Sequence, residues 1–150
     1  MDKERLQWDC PHAFHLPVTV HAEHTDVMGH TNNVQYLRWL EDCAWAHSQS
    51  LGLDWAAYEH HGAAVVARRH EIDYLAETLP GDALTVATWV SDNPGKARMS
   101  RRYQIIRHRD GRTVLRGLTH WAVVRLSDGR PIRMPDRFRE AYVACGCGPS

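Results

Sequence analysis

The sequence contains no run approaching the roughly 18 consecutive apolar residues that a membrane-spanning helix requires, so no transmembrane segment is expected. Its first residues, Met1-Asp2-Lys3-Glu4-Arg5, are charged where a signal peptide carries a basic and then an apolar stretch, and a cytoplasmic address is the expectation. Net charge is absent too. Eighteen Lys and Arg cancel eighteen Asp and Glu, which argues against a nucleic-acid binder held by bulk charge. Cysteine is scarce: Cys10, Cys43, Cys145 and Cys147, without an export signal, do not read as a disulfide framework. Cys145-Gly146-Cys147 lacks the usual CxxC spacing and a second ligand pair, which argues against a structural zinc site. With Gly148 and Pro149 beside it, residues 145–150 read as a frayed, thiol-bearing tail. No repeat, low-complexity segment or Pro/Gly/Ser-rich linker divides the chain, so its 150 residues, 43% hydrophobic, are expected to form a single domain around one core, spanning about residues 18–144.

Charge is unevenly placed along the chain. Residues 1–95 hold five Lys and Arg against fourteen Asp and Glu, whereas residues 96–150 hold thirteen against four. The basic half is nearly all arginine, whose planar fork matches phosphate oxygens, so a phosphorylated ligand suits it; pairing of the two halves in the fold would serve the same charges.

Residues 17–24 alternate apolar and polar and predict a strand, followed by a loop with Asp26 and Gly29. From Asn33 to about Leu51 the apolar residues recur at helical spacing, and Tyr36, Trp39, Cys43 and Trp45 make much of the remaining circumference apolar. A helix of that kind is a buried one. Thr31 or Asn32 can cap it and Gly52 can stop it. A short helix is expected at Asp54 to His60. Four segments rich in Val, Ile, Thr, Trp and Tyr follow, at 63–74, 83–91, 97–108 and 113–126, separated by turn signals such as Pro80-Gly81-Asp82 and Asp110-Gly111. A last short helix is expected near Asp136 to Ala144. The succession of hairpins demands an antiparallel sheet and excludes a doubly wound fold; the economical α+β arrangement wraps the sheet around the long helix. Free sheet edges then call for oligomerisation.

The densest polar cluster is His24-Thr25-Asp26-Val27-Met28-Gly29-His30-Thr31-Asn32-Asn33, at the start of the buried helix. Unsatisfied amides and partial positive charge gather there, so a substrate carbonyl at that spot would have its developing oxyanion stabilised. Asp26 is the carboxylate placed to attack or to activate water, and Gly29 allows close approach of a ligand. These residue types also serve ordinary loops: Asp26 can accept loop amides, Asn32 can cap and Gly29 can turn.

The run Asp26-Val27-Met28-Gly29-His30-Thr31-Asn32-Asn33-Val34-Gln35-Tyr36 resembles the D-x-x-G-H-x-N-N-x-x-Y signature of hotdog-fold acyl-CoA thioesterases of the 4-hydroxybenzoyl-CoA thioesterase type. The likeness extends from about Val18 to Pro135. It implies a hotdog fold, with a five-stranded antiparallel sheet around one long central helix, and a homodimer or homotetramer with active sites at the subunit interface. It implies an acyl-CoA substrate and no metal or redox cofactor. By position, Asp26 would be the catalytic carboxylate, the backbone amide of Asn33 would polarise the thioester carbonyl, and His30 would orient the loop or assist the leaving thiolate. Gly29, Asn32 and Tyr36 would line the substrate, and Lys96, Arg98 and Arg101 follow the turn that approaches the CoA nucleotide. Alternation puts Arg98 and Ser100 on one face and Arg101 and Tyr103 on the other, so only one set could meet the ligand. Tyr36 and Glu41 also match the signature, and each has an ordinary alternative: Tyr36 as a packing residue near the site, Glu41 as a helix residue bonded to a neighbouring loop.

Three other readings compete. Hydratases and dehydratases of the same fold resemble a G-D-x-N-P-x-H pattern, which is not present here. A non-catalytic acyl-thioester binding protein would keep the pocket and hydrolyse little. A nucleic-acid binder would have to use Arg101-Arg102 and Arg107-His108-Arg109, which alternating strand faces scatter.

Overall fold

The computed structural model describes residues 6–145. A first strand β1 (Phe14–Thr19) leads into the long helix α1 (Asn33–Ser50) and the short helix α2 (Trp55–His61). Four strands follow, β2 (Ala63–Tyr74), β3 (Ala83–Asp92), β4 (Arg98–Arg107) and β5 (Arg112–Arg125), and then helix α3 (Asp136–Ala141). Every pairing is antiparallel and the strand order is β1-β3-β4-β5-β2, so β1 and β2 are the two edges. This is the α+β arrangement expected from the sequence.

Two boundaries differ from the expectation. The first strand begins earlier than 17–24, where Phe14 pairs with Thr88 of β3, and ends earlier because residues 22–24 close into a 3-10 turn in which the His21 amide donates to His24 Nδ1 (3.0 Å). Helix α3 ends at Ala141 because Tyr142 turns inward, its hydroxyl bonded to those of Ser48 (2.7 Å) and Tyr58 (2.6 Å).

The inner face of the sheet packs on α1. Leu40 and Ala44 of the helix meet Val86, Ile105 and Leu115 from three strands, all buried. Gly117 lets the helix come close, since a Cβ there would lie 3.4 Å from both Leu40 Cδ1 and Tyr103 Cδ2. A second cluster joins α2 and α3 through Leu53, Tyr58 and Phe138.

On the other side, Trp8 and Cys10 pack with Ala87 and Trp89, and a disulfide joins Cys10 to Cys145. This corrects two expectations: the cysteines do form a bridge, and Cys145 is tied down. The two chain ends meet across one sheet face, a proximity that 135 residues of separation hid. The remainder of the expected tail, residues 146–150 with Cys147, lies outside the described residues. Cys43 is a free thiol buried in α1, and that burial pushes its pKa up to about 12, so it is no nucleophile. Among the described residues no helix is long and apolar enough to cross a membrane.

Candidate active site

The link between β1 and α1 is a closed loop. The Asp26 amide donates to the His30 carbonyl (2.8 Å) and the Gly29 amide to the Asp26 carbonyl (3.0 Å), with Thr25 and Thr31 bridged antiparallel at its base. Gly29 sits at φ 78°, where a side chain would be strained although space is open. Asp26 is exposed. Its Oδ1 accepts from the amides of Met28 (2.9 Å) and His30 (3.3 Å), while Oδ2 has no partner among the described residues. The carboxylate is thus held by its own turn and keeps one oxygen for another task.

Asn32 caps α1, its side-chain oxygen accepting from the Val34 amide (3.0 Å), and the Gln35 amide turns back to the Asn32 carbonyl (2.9 Å). The Asn33 amide is left without an acceptor among the described residues, at the positive end of an 18-residue helix. The other capping candidate, Thr31, has a different task. It is buried, with its hydroxyl on that of Thr78 (2.6 Å).

Tyr36 bonds the same Thr78 hydroxyl (2.8 Å) and is only 3% exposed, with its ring against Trp39 and Tyr74. Its position is beneath the loop, where it packs. His30 Nδ1 lies 2.8 Å from Glu77 Oε2, so the imidazole is oriented by a carboxylate from the β2–β3 connection. Thr78 and Glu77 were not singled out in the sequence. Their segment reads there only as a turn signal at Pro80-Gly81-Asp82, and nothing local shows that it folds against residues 26–36.

The remaining expected site residues lie elsewhere. Lys96 and Arg98 are exposed at the β3–β4 turn, Arg98 bonded to Asp92 (2.9 Å). The register runs Arg98, Ala122, Val66 across β4, β5 and β2, whereas Tyr74 at the far end of β2 reaches the Asn33 carbonyl (3.4 Å). Those two ends of β2 are roughly 25 Å apart at the usual strand rise. Within one chain, then, Lys96 and Arg98 do not join Asp26. Arg101 is 1% exposed and faces α1, which removes it from a surface nucleotide site. A cavity of about 350 Å³ lies between the middle of α1 and strands β2, β4 and β5, bordered by Glu41, Trp45, Arg101 and Trp121. Among the described residues no cluster of three or more His, Cys, Asp or Glu is placed to hold a metal ion.

A family model described as the thioesterase-like superfamily matches residues 20–142. The chain belongs to this superfamily. Among solved structures, a thioesterase complexed with coenzyme A and Zn from Thermus thermophilus is similar at 27% identity and TM-score 0.73, over 90% of this chain and 99% of that one. A 1,4-dihydroxy-2-naphthoyl-CoA thioesterase from Synechocystis aligns at 20% identity and TM-score 0.78, over 87% and 95%. A Staphylococcus aureus protein in complex with CoA aligns at 21% and 0.80, over 86% and 80%. A comparison with curated proteins finds no match. The superfamily's hotdog arrangement is the sheet and helix described above.

Proposed function

We propose that the protein hydrolyses acyl-CoA: the thioester and water give a carboxylic acid and the free thiol of CoA. The observation that carries this reading is the exposed Asp26 carboxylate on the loop that feeds an open helix-start amide at Asn33. The thioester carbonyl oxygen would accept from the Asn33 amide, which stabilises the negative charge that develops as the carbon is attacked. Asp26 attacks that carbon, giving a mixed anhydride that water cleaves, or it takes a proton from the attacking water. The CoA thiolate leaves and is protonated, and no electron donor or metal is called for. His30, oriented by Glu77, would steady the loop or hand a proton to the thiolate.

The site is completed by a second copy of the chain. β2 is a twelve-residue edge strand, and exposed apolar residues flank it: Val34 and Trp45 on α1, Val66 and Tyr74 on β2 itself. A two-fold axis near Arg69, pairing β2 with its copy antiparallel, sets Tyr74 of each chain beside Ala64 of the other. The helix start and Asp26 of one chain then face the cavity, Lys96 and Arg98 of its neighbour. The split of the expected site residues between two ends of one chain supports this arrangement. The presence of CoA in two similar structures supports the donor.

A second carboxylate is tested with the first, because Glu41 borders the cavity whereas Asp26 reaches it only through the dimer. Thiol release from a panel of short, medium, long and aromatic acyl-CoAs would be measured on the wild type, Asp26→Asn and Glu41→Gln. Asp26→Asn is expected to lose ~10²-fold or more in kcat with binding kept, and Glu41→Gln less than ~10-fold. The reverse order would move the catalytic carboxylate to Glu41. No thiol from any donor, with acyl-CoA still bound, would make the protein a binding module.

A further inference from the structure

The cavity between α1 and the sheet contains a cation for which the hydrolytic step has no use. Arg101 projects from the inner face of β4 and is almost completely buried. Its Nη1 meets His47 Nδ1 (2.8 Å) and Thr88 Oγ1 (3.2 Å), and its guanidinium carbon lies 5.9 Å from the centre of the Tyr142 ring. His47 offers no negative charge. Burial, and then the Arg101 charge, pull its pKa down to about 4, so it accepts as a neutral ring. No carboxylate among the described residues forms an ion pair with Arg101. Arg101 Nε is sealed from solvent and has no acceptor.

A second donor is in the same state. The Trp121 indole nitrogen is buried without a partner, and Trp121 borders the same cavity. Arg101 pairs with Thr119 across the β4–β5 register, so Trp121 is its diagonal neighbour on that face. Buried donors without acceptors are costly, and a buried cation without an anion more so. Apart from Ser48 the rest of the wall is apolar or aromatic, with Trp45, Tyr58 and Tyr142, and the one carboxylate on it among the described residues is Glu41 at the exposed surface of α1.

We propose that this cavity selects acyl groups whose far end carries a carboxylate, one oxygen accepting from Arg101 and the other from the Trp121 indole. The identity of the ligand as a thioester rests on the reading above; the anion pocket itself does not. A carboxylate has the lone pairs to satisfy both donors and the charge that no ion pair among the described residues gives Arg101, whereas a plain alkyl end leaves both unpaired. The volume, about 350 Å³, is at the small end for ligand pockets and suits a short chain or a single ring.

Two arms test this on the full-length protein. In the first, hexanoate and its uncharged counterpart hexanamide are titrated calorimetrically into the wild type and Arg101→Met. Hexanoate is expected to bind the wild type ~10-fold or more tightly than hexanamide, and Arg101→Met to show no preference. In the second, thiol release is compared for adipoyl-CoA and hexanoyl-CoA. The wild type is expected to favour adipoyl-CoA by ~10-fold or more in kcat/KM, and Arg101→Met to reverse the order. A wild type without preference in either arm, or an Arg101→Met that lowers both thioesters alike, overturns the proposal. If neither thioester releases thiol yet hexanoate is preferred through Arg101, the pocket stands and the hydrolase reading falls. Should Arg101→Met not fold, Trp121→Phe removes only the second donor; an undiminished preference for hexanoate would then overturn the proposal.

Discussion

Asp26 shows what one residue's neighbourhood decides. Its side chain accepts from two amides of its own turn, so the group that looks like an ordinary loop stabiliser is also the group left pointing at solvent beside a helix start. The two roles share one carboxylate, and Asp26→Asn separates them because it keeps the turn acceptor and removes the charge. His47 yields a second test at this scale. The fold favours its neutral form, so the unfolded chain takes up a proton first: the contribution is full above about pH 6.5 and is lost as pH falls toward about 4. His47→Gln is therefore expected to show a smaller drop in urea midpoint between pH 7 and pH 5 than the wild type does. An equal drop in both would show that other groups set the acid limb. Asp26, Gly29, His30, Asn32 and Asn33 could be read in the sequence because they are contiguous, and a loop feeding a helix keeps contiguous residues together. Thr78, Glu77 and the true place of Arg101 could not, since each depends on a partner at least 40 positions away.

The elements follow from local rules with few exceptions. Helix α1 begins where Asn32 caps it, but only part of its apolar circumference is buried: Tyr36, Trp39, Leu40, Cys43 and Ala44 face the sheet, whereas Val34 and Trp45 stay exposed, which corrects the expectation of a helix buried nearly all round. Asn32→Ala is expected to cost about 1 kcal/mol in chemical denaturation, the usual worth of a cap. It should also reduce kcat, because the Val34 amide freed by the substitution would compete with Asn33 for the carbonyl. A stability loss with kcat unchanged would place the oxyanion site away from the helix start. The strands could be read from their turns, since Asp110-Gly111 and its counterparts stop one run and start the next. The first strand could not be placed as well: alternation continues from 17 to 24, but the imidazole of His24 bonds the amide of His21 and closes a helical turn inside that run.

At the scale of the whole molecule, the proposed dimer is what would bring the expected site residues together. Lys96 and Arg98 sit at one end of β2 and Asp26 at the other, and an antiparallel partner exchanges the ends. Val66→Glu, which places charge on the exposed edge strand, is expected to give a monomer by analytical ultracentrifugation. It should lose ~10-fold or more in kcat/KM while its far-ultraviolet spectrum stays unchanged. A fully active monomer, or a wild type that sediments as a monomer, would refute the shared site.

By itself the sequence determined the order and type of the elements and the polar loop in front of the long helix, because periodicity, turn chemistry and capping act over a few residues. Tertiary structure alone decided which distant residues support that loop, that Cys10 meets Cys145, and that Arg101 turns inward under α1 without an ion pair to any described carboxylate. Those outcomes depend on how far the strands slide past one another and which face meets the helix. A shift of one residue in register moves a side chain from solvent to core, and composition carries no record of that choice.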